Sequence, residues 1–65
     1  MAPNASLVTR AQSLLIKLGY DVGPPDGVAG DRTRAAIKSF ERRNGVEETG
    51  EATIPLVTKL ERLTS

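Results

Sequence analysis

The side chains with the most chemical potential crowd one segment. Arg32, Arg34, Lys38, Arg42 and Arg43 supply five of the nine cations. Arg34, Lys38 and Arg42 stand at i, i+4 and i+8, so a helix aligns them in one stripe. Such a stripe has three uses: a solvated outer face, a track for phosphates, or a set of forks for carboxylates. Asp21, Asp26 and Asp31 precede or open the segment. They lack the Asp-x-Asp-x-Asp-Gly order of a calcium loop. Tyr20 heads the same stretch, where its ring offers a face to a sugar or packs half-buried with the hydroxyl outward.

Composition narrows the chemistry further. The chain has 65 residues with no Cys and no His. That length supports one domain, and disulfides, thiolate sites, zinc sites and His general-base catalysis are all excluded. Ser6, Ser13, Ser39 and Ser65 have no nucleophile motif around them. Ser39 directly follows Lys38, a spacing that keeps the two off one helical face. Neither catalysis nor a cofactor or metal is expected. Nine cations against eight anions give a net charge of +1, too balanced for a nucleic-acid module. Glu41, Glu47, Glu48 and Glu51 also stand close to the basic stripe. No run approaches the ~18 apolar residues of a membrane span. Met1 to Asn4 does not begin a signal peptide, so any export signal is expected on a larger parent chain.

Three periodic segments must position these residues. Leu7, Ala11, Leu14, Leu15 and Leu18 recur on one face of a helix over about 6–18. Ser6 or Asn4 is its expected N-cap, and Gly19 its left-handed terminus. Ahead of it, 1–5 reads as a flexible tail. Four glycines and two prolines between Gly19 and Gly30 exclude a helix there. Tyr20, Val22 and Val28 are spaced to pin this loop onto the core, with Pro25-Asp26-Gly27 as a turn. A second helix is expected over about 31–44, capped at Gly30 or Asp31. Ala36, Ile37 and Phe40 face inward, and Asn44-Gly45 ends it. The third covers about 54–63, with Thr53 as N-cap and Pro55 in the first turn. Leu56, Val57, Leu60 and Leu63 supply its apolar face. The fold class is all-α: a compact three-helix bundle with a long Gly/Pro loop between the first two helices.

The order of these pieces resembles the peptidoglycan-binding domain family. Ala11-Gln12, Leu14-Leu15 and Leu18-Gly19-Tyr20 are similar to the family's first helix. Asp26-Gly27-Val28-Ala29-Gly30, then Thr33, Ala36-Ile37 and Phe40, match its Asp-Gly-x-x-Gly-x-x-Thr-x-x-Ala-[Val/Ile]-x-x-Phe pattern. Gly45-Val46 and Thr49-Gly50 match its Gly-[Leu/Val]-x-x-Thr-Gly turn. Three departures stand out. Ala11 takes the place of a Leu, Glu41 follows Phe40 where the family often has Gln, and Thr53 stands where it usually has Asp.

The resemblance implies a non-catalytic module over 6–63 that binds peptidoglycan and anchors or targets a larger envelope protein. Its partners would be glycan strand or stem peptide, and other envelope proteins in addition. It implies a periplasmic or cell-envelope location. The isolated domain is expected to be a monomer that neither inserts in a membrane nor binds nucleic acid. For ligand contacts, Tyr20, Asp26, Arg32 and Arg34 are the candidates. They bring loop amides, a helix N-terminus and two guanidiniums toward a carboxylate. The alternatives are a protein-interaction module without direct wall contact and, less favoured, a small helical nucleic-acid binder.

Overall fold

The computed structural model describes residues 5–65. It contains α1 (Ala5–Lys17), α2 (Asp31–Arg43) and α3 (Ile54–Thr64), with no strand among the described residues. Ten residues form the core cluster: Ala11, Leu14, Leu15, Val22, Ala36, Ile37, Phe40, Leu56, Val57 and Leu60. Leu7, Tyr20 and Ala52 pack against it from the side. α1 is the central element, packed on both α2 and α3. No Cα of α2 comes within 8 Å of α3. Those two helices meet only through side chains and through the second loop.

The helix boundaries follow from local chemistry. α1 ends in a Schellman arrangement: Tyr20 N–H donates to Leu15 O at 2.9 Å and Gly19 N–H to Ile16 O at 2.9 Å. Gly19 makes this possible with φ +93°, a conformation that costs a side-chain-bearing residue ~1–2 kcal/mol. α2 ends the same way, with Val46 N–H on Glu41 O and Gly45 N–H on Arg42 O. Gly30 is the N-cap of α2 and gives it no side-chain hydrogen bond. Thr53 caps α3, its Oγ1 accepting from Leu56 N–H at 3.2 Å.

Several expectations need correction. Ser6 lies inside α1 and does not cap it, while Asn4, the other candidate, lies outside the described residues. Of the expected tail, 1–4 also lies outside the described residues, and Ala5 opens α1. Leu18 falls in the terminal turn and is 36% exposed. Val8 and Gln12 are buried on α1 instead. Leu63 is exposed in the last turn of α3. Of the two loop valines, Val22 is buried and Val28 is 65% exposed. The Val28 backbone turns inward to a hydrogen bond, which throws its side chain outward.

Phe40 is 2% exposed and meets Tyr20 edge-on, with ring centroids 6.4 Å apart and planes at 80°. Its replacement by Ala should cost ~3–5 kcal/mol. A domain this small holds little more than ~5 kcal/mol. Phe40→Ala should therefore be largely unfolded at room temperature, as followed by circular dichroism and urea titration. A cooperative melt close to the parent's would show that the core does not centre on this ring.

Candidate functional site

The first loop is built around one buried amide. Gln12 is fully buried, at a position that would suit an apolar residue. Its Nε2 donates to Val28 O and to Thr33 Oγ1, each at 3.0 Å. Its Oε1 accepts from Gly27 N–H at 3.0 Å. Thr33 Oγ1 in turn donates to Val22 O at 3.4 Å. The side chain of α1 thus holds two loop residues and the first turn of α2 in one network. Gly27 has no room for a Cβ: its φ is +82°, and an added carbon would sit 2.9 Å from Thr9 Oγ1. Asp26 closes the turn from outside, its Oδ1 accepting from Val28 N–H at 2.9 Å.

This network shapes a depression of about 420 Å³. Gln12, Val22 and Thr33 form its inner part, Gly23, Pro24, Asp26 and Val28 the loop side, and Gly30, Asp31 and Arg32 the start of α2. Two of the four candidate contacts, Asp26 and Arg32, come together here. Arg32 pairs with Asp21 and lies against Gly23. Both partners of that ion pair are well exposed, so the pair contributes little to stability. The guanidinium can exchange Asp21 for another carboxylate at small cost.

Tyr20 and Arg34 do not line the depression. The Tyr20 ring turns toward the C-terminal end of α2, against Phe40 and with Arg43 Cζ 5.8 Å from its centroid. A cation already occupies one ring face. Arg34 is exposed on α2 and has no ion pair among the described residues. The rest of the basic stripe is partly engaged. The Lys38 side chain lies over Gly50, and Arg42 donates through Nε and Nη2 to both Glu48 oxygens at 3.2 and 3.0 Å.

A second buried polar group anchors the second loop. Glu41 is 5% exposed. Its oxygens accept from Thr49 Oγ1 at 2.8 Å and from Gly50 N–H at 2.9 Å. The departure from the family's usual Gln therefore alters an internal acceptor and not a group facing solvent. Sequence reading missed Gln12 and Glu41 as anchors, although both sit at stripe positions beside Ala11 and Phe40. Among the described residues no buried side-chain polar atom is left without a partner, and no cluster of metal-ligating side chains occurs. No described helix is long and apolar enough to cross a membrane.

The three helices and the glycine-rich loop define a small all-α domain. The family model described as "Putative peptidoglycan binding domain" matches residues 4–60, and the chain belongs to that family. It is 56% identical over 41 residues, 63% of its length, to "Putative OxPP cycle protein OpcA" of Synechocystis. It is 39% identical over 59 residues, 91% of its length, to "Localization factor PodJL" of Caulobacter vibrioides. The chain spans 9% of the first protein and 6% of the second. No solved structure matches it.

Two outcomes test this anatomy. Gln12→Leu keeps the volume but strands the Gly27 amide and the Val28 carbonyl. An unsatisfied buried group costs ~1–3 kcal/mol; these two are only part-buried and fall toward the lower end, so stability should drop by ~2–4 kcal/mol in urea titration. Hydrogen exchange at Gly27 should accelerate, while amides in the middle of α3 keep their order of protection. The second concerns pH. The hydrogen bonds from Arg42 hold the Glu48 carboxyl below its ordinary range, and the carboxylate raises Arg42. A carboxyl depressed in the folded state adds stability above its unfolded value and loses it as pH falls through the folded one. Denaturation at pH 7 and pH 3 should therefore show a smaller acid loss for Glu48→Gln than for the parent.

Proposed function

We propose that this domain is a non-catalytic peptidoglycan-binding module that anchors a larger envelope protein on the cell wall, on its periplasmic side. The observation that carries this reading is the family match across nearly the whole chain. The chemistry of the first loop supports it. Peptidoglycan stems carry carboxylates, and Arg32 stands beside the start of α2, which has no side-chain cap. Free amides at a helix N-terminus and a guanidinium both favour an anion. Asp26 keeps one carboxylate oxygen for an ammonium group. Arg34, exposed on α2 outside the depression, is an outer contact, whereas Tyr20 turns toward the far end of α2 and stays apart from it. Weak affinity suffices, because a polymeric surface presents many copies and tethering raises the effective concentration.

A second reading is an interaction module for another envelope protein. The name of one relative, "Localization factor PodJL", gives this reading its support. Co-sedimentation with purified sacculi separates the two. The parent chain should pellet, and Arg32→Ala and Arg34→Ala should each weaken binding up to about five-fold, the upper range of an exposed ion pair. Circular dichroism checks that both variants fold. Failure of the parent to pellet would sink the wall reading and favour the protein partner.

A further inference from the structure

We propose that the cleft between the C-terminal end of α2 and the start of α3 is a second subsite, for the peptide part of peptidoglycan; this rests on the wall-binding reading. The cleft exists because the two helix backbones stay apart. Side chains and the second loop must fill the gap, and they leave about 250 Å³ open. Its walls are apolar, formed by Phe40, Val46, Pro55 and Leu56. Val46 remains 44% exposed, so part of that apolar surface is still in contact with water.

The polar groups within the cleft are already matched. Glu41 spends its oxygens on Thr49 and Gly50. The unmatched groups are Glu47 and Lys59, which both line the cleft. Neither has an ion pair among the described residues. An apolar slot flanked by one free anion and one free cation fits an occupant with alkyl surface and both charges. A stem peptide has all three: methyl and methylene groups, carboxylates, and the free ammonium of its diamino acid. A glycan strand offers hydroxyls, for which the cleft has few free partners. Size points the same way, since sites for drug-sized ligands hold ~300–1,000 Å³ and this one holds less. It takes the end of a peptide and not a run of sugars.

The test is an amide NMR titration of the 65-residue chain with the stem tripeptide L-Ala-γ-D-Glu-meso-diaminopimelate. The Val46, Thr49 and Lys59 signals, all from the cleft lining, should shift. Glu47→Gln and Lys59→Met should each weaken the interaction about three-fold, the scale of one exposed ion pair. The tripeptide with acetylated amines and amidated carboxylates should shift them far less. Both substitutions lie outside the core, and amide dispersion confirms the fold. No shift at the cleft, or shifts that both variants leave unchanged, would overturn the subsite. Sacculus pelleting run in parallel separates the two ideas. Pelleting without a response at the cleft removes the subsite and leaves wall binding through the first loop. A response at the cleft without pelleting removes wall binding and leaves a peptide site.

Discussion

The buried amide of Gln12 is the constraint on which the first half of the molecule depends. A loop with four glycines and two prolines has little helical or strand bonding of its own. Its backbone groups still need partners wherever they meet the core. One side chain supplies them: it donates twice and accepts once, tying Gly27, Val28 and Thr33 to α1. The amide suits the task because it carries donors and an acceptor on one rigid plane. A carboxylate there could only accept. The low dielectric around it strengthens each bond and makes any omission costly.

The second loop is shorter, and Glu41 meets it only as an acceptor, which is why a carboxylate works there. Thr49 and Gly50 both donate toward it. The two loops therefore divide the work differently, although each follows a helix closed by the same glycine-dependent turn. The ion pairs add little by comparison. Arg10 with Glu61, Arg32 with Asp21 and Arg42 with Glu48 all lie at the surface, where solvent and salt screen such pairs and they contribute little. Apolar burial around Phe40, Leu15, Ile37 and Leu60 and the two polar anchors hold the fold.

Much of this was legible in the sequence. The three helices, the Gly19 and Gly45 termini, the Thr53 cap and the inward Phe40 all follow from spacing and local propensity. Leu18 and Leu63 were misplaced because periodicity says which face a residue takes, not where the neighbouring element stops covering it. Gln12 and Glu41 left a positional signal. Val8, Ala11, Gln12 and Leu15 run at steps of three, one and three, as do Thr33, Ala36, Ile37 and Phe40, with Glu41 next. A polar residue within such a run is either exposed by a local defect or matched inside the core, and only tertiary contacts decide. The grouping of Asp26 with Arg32, apart from Tyr20 and Arg34, was beyond reach for the same reason. It depends on which way a glycine-rich loop crosses α2.

Val28 shows what this construction permits. Its carbonyl is held in the interior while its side chain points to water. Pro24, Pro25, Asp26 and Ala29 are exposed beside it. The scaffold thus grips the loop by its main chain and leaves most of the lettering on its outer side unread. Substitutions at Val28 or Ala29 that keep the backbone path would change what the surface displays without disturbing the frame behind it. Shape and display are separately adjustable here, so one small frame could be fitted to different ligands by editing a handful of positions.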